Sequence, residues 1–224
     1  MKLTIKNNKL LKSTKTKKTR NTRKASKINK ETNIATKISD EKSLLLDTIA
    51  NLNTEHIKQL TKIYNAHGSR NRLTEKEIKQ FVIDEKIQNA KPDIHRTYYS
   101  YCVMYNNILV GYIIGKKTPL LLSKYLGSDV KPNKFDLLFS IGLDEKYKNK
   151  GIGTRAIELF IKMYAKRINQ LGSYAKDAKL YADIASTNIA SMRAFKKNQF
   201  HYSHEIKISG NPYKRYSRAV FPSK

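Results

Sequence analysis

Only one cysteine occurs among the 224 residues. Cys102 therefore has no internal disulfide partner, which excludes a disulfide-stapled scaffold and a cysteine-based structural zinc site, points to a reducing compartment, and leaves the thiol a core-filling role. No run of about 18 apolar residues exists, so no membrane-spanning helix is expected, and the N-terminal stretch lacks the apolar segment of a secretory signal. Acidic residues are scarce, 18 against 45 Lys and Arg, for a net charge of +27. An acidic protein is excluded, and a polyanionic partner or cofactor would be attracted. The expectation is a soluble intracellular chain, cytoplasmic or nuclear, with no membrane partner.

Aromatic residues are missing from one whole region. Residues 1–40 contain no aromatic, glycine or proline, and their 13 Lys and Arg face only Glu31 and Asp40. Such a segment cannot bury enough apolar surface to offset its chain entropy, so a disordered basic arm is expected over 1–40 and a folded domain over 41–224. Four readings of the arm stay open: a nuclear-localisation signal, a contact to nucleic acid or another polyanion, a solubilising tail, or a mitochondrial presequence. The 14 tyrosines and 7 phenylalanines all follow residue 40, and with 39% hydrophobic residues overall they suffice for a sizeable core.

Periodicity divides the folded part into elements. A strand is expected at 43–49 and a helix at 54–66 with Ile57, Leu60, Ile63 and Tyr64 on one face. Thr74 and Glu77 match a capping box that opens a helix running to about 87. Strands 97–105 and 108–116 flank Asn106-Asn107, a tight-hairpin signal, and a loop-rich stretch covers 117–133. Strand 135–143, helix 151–169, strand 179–184, helix 188–198 and strands 201–208 and 215–221 follow, with Asn211-Pro212 read as a turn in the loop 208–214. This mixed order predicts an α/β domain around a central, mostly antiparallel sheet flanked by helices.

The stretch Lys148-Asn149-Lys150-Gly151-Ile152-Gly153-Thr154 lies between a strand and a helix. The first N–H groups of a helix lack internal partners and carry the positive end of its dipole, and two glycines there let a phosphate approach the backbone. Lys148 and Lys150 add formal charge. Alone, this glycine pattern also fits a helix start that needs close packing. A second block, containing Asn188, Ser191, Phe195, Lys197 and Phe200, follows the next strand. Together the two resemble the GNAT N-acetyltransferase superfamily, whose motif A runs Gln or Arg, two residues, Gly, one residue, Gly or Ala, and whose later segment runs Asn-x-x-Ser-x-x-x-Tyr-x-Lys-x-Gly-Phe. The resemblance extends over about residues 43–221 and includes the element order.

What this resemblance implies is direct transfer of an acetyl group from acetyl-CoA, the co-substrate, to a primary amine, with no covalent enzyme intermediate. The acceptor is left open among protein, peptide, polyamine and aminoglycoside-like amines, and loops 66–73 and 208–214 are expected to border it. The implied cofactor contacts are Ile141, Gly142, Leu143, Lys148, Asn149, Lys150, Gly151, Ile152, Gly153, Thr154, Asn188, Ser191, Phe195 and Lys197, with backbone N–H near Leu143 polarising the thioester carbonyl. Three positions depart from the family pattern. Lys148 replaces Gln or Arg and keeps the charge without the fork. Gln199 replaces a glycine, which matters if the backbone there needs a positive φ. Phe195 stands where many members have a tyrosine that protonates the leaving thiolate. A lysine-like amine titrates near about 10.4, so a base is needed at neutral pH. Asp183, five residues before Asn188 at the end of a strand, and Asp136 are the candidate carboxylates. Asp183 also fits a helix-entry cap, and the alternation of side chains along a strand turns Asp136 away from the reacting face unless a bulge intervenes. His201 and His204 are further candidates. The rival reading is a catalytically degenerate acyl-CoA fold serving as a basic nucleic-acid-binding module.

Overall fold

The computed structural model describes residues 43–67, 72–117 and 133–221. The basic arm 1–40, most of the loop 117–133 and part of the loop 66–73 lie outside the described residues. Among the described residues, seven strands and four α-helices follow in the order β1 (Leu44–Thr48), α1 (Thr54–Ala66), α2 (Glu75–Asn89), β2 (Tyr98–Tyr105), β3 (Ile108–Lys117), β4 (Leu137–Leu143), α3 (Ile152–Asn169), β5 (Lys179–Ala185), α4 (Ile189–Lys197), β6 (His201–Ile208) and β7 (Asn211–Ala219).

Local sequence accounts for most boundaries. The Asn53 side chain accepts the His56 N–H at 2.9 Å and starts α1, whose Ile57, Leu60 and Ile63 form its buried face. Thr74 and Glu77 close the expected capping box at the head of α2. Asn106 and Asn107 take φ of 51° and 62°, the left-handed pair that a two-residue hairpin requires. The last hairpin differs from expectation. Its turn is Ser209-Gly210, with φ of 48° and 83°, and Asn211-Pro212 belongs to β7, where Pro212 stands opposite Lys207. Gly210 tolerates the left-handed region that proline cannot enter, so the turn forms two residues earlier and β7 is correspondingly longer.

The sheet order is β1-β2-β3-β4-β5-β7-β6, with β4 and β5 parallel and every other pair antiparallel. Side chains alternate between two faces. Leu137, Phe139, Leu180 and Ala182 join one core cluster with Ile157, Phe160 and Tyr164 of α3 and with Met192 and Phe195 of α4. Cys102, Leu109 and Tyr112 join a second cluster on the other face with Ile57, Leu60 and Ile63 of α1 and Ile78 and Val82 of α2. Cys102 is buried there, as its apolar surroundings expected.

One irregularity in this sheet positions the site. β4 and β5 pair only at Leu137↔Leu180 and Leu138↔Tyr181, although both strands continue, to Leu143 and Ala185. Beyond Leu138 the two strands part.

Candidate functional site

The gap between the parted strands is edged by backbone that pairs with no strand on that side. Asp144 N–H donates to Val110 O at 2.8 Å, and the register is uniform from Lys117↔Leu137 to Gly111↔Leu143. Antiparallel alternation from that bond turns the N–H and C=O of Ile141 and Leu143 away from β3 and toward the gap. These two expected contact residues therefore turn main chain toward the gap, Leu143 through its N–H, since its carbonyl oxygen is bound by His67 Nε2. Gly142 does not, since its backbone faces β3. Its contribution is steric: a β-carbon there would stand 2.5 Å from the Tyr112 ring and 2.7 Å from His67 Cδ2.

At the open end of β4 the chain passes through a single turn, Glu145–Tyr147, into the glycine loop. Asn149 and Gly151 take φ of 59° and 78°, and Gly151 is the N-cap of α3. Side chains of Asn53, Thr74 and Asn188 cap the other α-helices, but α3 has no side-chain cap. Its first internal bond is Arg155 N–H to Gly151 O at 3.1 Å, so the N–H groups of Ile152, Gly153 and Thr154 are not used within the helix. A β-carbon on Gly151 would meet nothing within 4 Å. Open space, donors unused within the helix and the positive helix end are the features that would suit this turn to an anion. Lys148 is paired with Glu145, and the Lys150 ammonium lies 5.5 Å from the Tyr147 ring centroid, so both charges stand beside the loop.

In the second block, local packing and bonds define each residue's setting. Asn188 Oδ1 accepts the Ser191 N–H at 3.1 Å, so those two residues serve each other as the cap of α4, and Lys197 is exposed. Phe195 is buried in an aromatic cluster, with ring centroids 5.3 Å from Phe139 and 5.0 Å from Phe200. It fills the aromatic core between the sheet and α3. Gln199 has φ of 62°, so the position does need the left-handed region, at a cost of about 1–2 kcal/mol for a non-glycine residue. Phe195→Tyr should bury a hydroxyl without a partner, lowering stability by about 1–3 kcal/mol while raising turnover less than tenfold. Chemical denaturation and amine turnover check both numbers.

Neither candidate carboxylate is free. Asp183 faces Arg215 across the β5–β7 ladder, and the guanidinium binds both its oxygens, Nε to Oδ1 at 2.7 Å and NH2 to Oδ2 at 2.8 Å. Asp136 sits just before β4, on the closed side of the gap, and is 2% exposed. Its Oδ1 accepts the Lys179 N–H at 2.7 Å and its Oδ2 the Asn133 N–H at 3.0 Å, so it ties the start of β4 to the start of β5. Burial pushes its carboxyl up to about 6 against the pull of those two bonds. Between about pH 4 and 6 the folded state therefore holds a proton that the unfolded chain has lost, and stability falls as pH rises through that window. Asp136→Asn should cost about 1–3 kcal/mol by losing one acceptor, flatten that fall, and leave turnover within about threefold. Urea melts at pH 4 and 7 test it.

His201 and His204 lie on the outer strand β6. The histidine at the gap is His67, whose Nε2 lies 2.6 Å from Leu143 O. Its position after the last turn of α1, in a loop expected to border the acceptor, was the available sequence signal. Ser140 is exposed in mid-strand on the same face of β4 as Gly142, so that face is open beside it. Among the described residues no helix is long and apolar enough to cross a membrane.

Comparison with known proteins gives a consistent answer. The Acetyltransferase (GNAT) family model matches residues 60–200. A comparison with curated proteins found no match. An N-acetyltransferase from Staphylococcus aureus Mu50 superposes with a TM-score of 0.58 at 14% identity, covering 81% of this chain and 100% of that one. A putative acetyltransferase from Salmonella typhimurium, solved with acetyl-CoA, has a TM-score of 0.58 at 12% identity and covers 83% and 97%. Aminoglycoside acetyltransferase AAC(6')-Ib, solved with coenzyme A, has a TM-score of 0.55 at 15% identity and covers 80% and 94%. At these identities the likeness is one of fold.

Proposed function

The chain belongs to the GNAT acetyltransferase family, and from that premise we propose that it is an N-acetyltransferase that moves an acetyl group from acetyl-CoA to a primary amine. The observation that carries this reading is the parting of β4 and β5 beside a helix N-terminus with no side-chain cap. Acetyl-CoA supplies the activated acyl thioester. The N–H groups of Ile152, Gly153 and Thr154, with Lys148, Asn149 and Lys150 close by, would hold its pyrophosphate, and the Gly151 position leaves the space. Backbone N–H of Ile141 and Leu143, turned into the gap, would bind the pantetheine arm and polarise the acyl carbonyl.

The acceptor approaches the face of the sheet that carries Ser140 and Asp183. Strands β4 to β7 present one carboxylate on that face, Asp183, and Arg215 neutralises it. On these strands a polycation such as a polyamine or an aminoglycoside would find, among the described residues, no unpaired carboxylate for its further ammonium groups. A single amine on a peptide or protein is the better match. The arm over residues 1–40 is a separate basic element for nucleic acid or another polyanion, and the catalytic domain runs over 41–224.

Calorimetry with acetyl-CoA, followed by turnover on an N-terminal peptide amine, a lysine peptide, a polyamine and an aminoglycoside, tests the assignment. Binding together with peptide acetylation is expected. Absence of acetyl-CoA binding by the folded chain overturns it, and binding without turnover on any amine would favour the degenerate nucleic-acid-binding module.

A further inference from the structure

We propose that His67 is the general base that removes the proton from the acceptor amine. This rests on the acetyltransferase reading above and adds the group that reading lacks, since both Asp183 and Asp136 are bound to structural partners.

Three features of the ring carry the proposal. His67 terminates α1, where its backbone N–H donates to Tyr64 O, and its Nε2 reaches Leu143 O at the end of β4. A carbonyl oxygen only accepts, so Nε2 carries the hydrogen and the neutral ring keeps its lone pair on Nδ1. No hydrogen bond to Nδ1 occurs among the described residues. The Cδ2 edge of the ring faces Gly142, 2.7 Å from where a β-carbon would stand. The opposite edge, which holds Nδ1, therefore turns off the sheet on the face where Ser140 is exposed. The ring is also fixed in place: Tyr112 meets it edge-on with centroids 6.2 Å apart and is itself 5.5 Å from Tyr64. Glycine at 142 is what admits both rings.

Among the described residues, the titratable groups around the imidazole are Tyr112 of β3, which meets the ring, Tyr64 of α1, which meets Tyr112, and Asp144, the residue after Leu143. Burial pushes the Tyr112 hydroxyl above its ordinary range, so it stays neutral, and Asp144 Oδ1 accepts the Lys146 N–H at 3.2 Å. In the step assigned to His67, the acceptor ammonium gives one proton to Nδ1. The freed lone pair then forms the N–C bond to the acetyl carbonyl carbon. The C–S bond breaks with its electron pair leaving on sulfur, and the nitrogen's surplus proton passes to that sulfur or to solvent. The imidazolium returns its proton to solvent. Since the same ring donates to Leu143 O, proton removal occurs beside the stretch of backbone that faces the acyl group.

The test uses His67→Gln, whose amide nitrogen can still donate to Leu143 O but which has no basic atom, beside His67→Ala. Acetyl-CoA affinity and melting temperature of His67→Gln should match the wild type. Its kcat/KM on the amine at pH 7 should fall about 100-fold or more. The part of the wild-type kcat/KM profile against pH that reports the His67 base should vanish, and the two rates should converge as pH nears the amine's own pKa. Nitrogen-15 NMR of the wild-type protein provides a readout free of turnover: the neutral His67 ring should carry its proton on Nε2. A proton on Nδ1, or a His67→Gln variant with wild-type rate and pH profile, overturns the proposal. Acetyl-CoA binding without amine acetylation by the wild type defeats the acetyltransferase reading instead, and this inference with it.

Discussion

Gly151→Asp should weaken acetyl-CoA binding at least about 100-fold, or about 2.7 kcal/mol, in a protein that remains folded. Gly151 has φ of 78°, so any side chain there is strained by about 1–2 kcal/mol. No protein atom lies within 4 Å of the added carbon, so there is no clash to unfold the loop. Aspartate is also favourable near a helix N-terminus, which offsets part of the strain. The same feature makes it damaging to the site, because its carboxylate would stand beside the free N–H groups of Ile152, Gly153 and Thr154 and repel a pyrophosphate. Gly151→Ala separates the two effects, since it keeps the strain and adds no charge; its affinity should fall less than tenfold. Calorimetry on both variants measures this, and an unchanged dissociation constant for a folded Gly151→Asp variant would remove the glycine loop from the site.

The parts of this site that sequence could reveal are those built by neighbours along the chain. The helix start at Gly151, the capping box of Thr74 and Glu77, the Asn106-Asn107 turn and the helical stripe of Ile57, Leu60 and Ile63 are all written within a few residues, and as local structure all appear as expected. The parting of β4 and β5 is different. It depends on how two strands some 40 residues apart lie against α3 and α4, and nothing local to 139–143 or 182–185 marks it. The fate of the carboxylates is likewise set by long-range register: Asp183 meets Arg215 because of the β5–β7 ladder, 32 residues apart. Asp136 meets the Lys179 N–H at a separation of 43. His67 and Leu143 are 76 residues apart. A motif points to atoms suited to a phosphate, but only the fold determines which acids and bases remain unpaired.

That distinction gives the Asp183–Arg215 pair the second large expected effect. The side chains are 10% and 3% exposed, so removing one partner leaves the other's charge largely without solvent. Arg215→Met should therefore destabilise the domain by about 3–5 kcal/mol, a substantial share of the roughly 5–15 kcal/mol that holds a domain folded. Asp183→Asn alone should cost a similar amount, because the guanidinium loses its charged acceptor in the same buried setting. The double variant Asp183→Asn with Arg215→Met removes both charges together and should recover at least half of the summed loss, a coupling that urea melts of the four proteins would measure. The same four proteins separate structure from chemistry. If Asp183 deprotonated the amine, the double variant would fold and yet turn over about 100-fold or more slowly. If the pair is structural and His67 carries the proton, the double variant should keep turnover within about tenfold and retain the pH profile that His67→Gln loses.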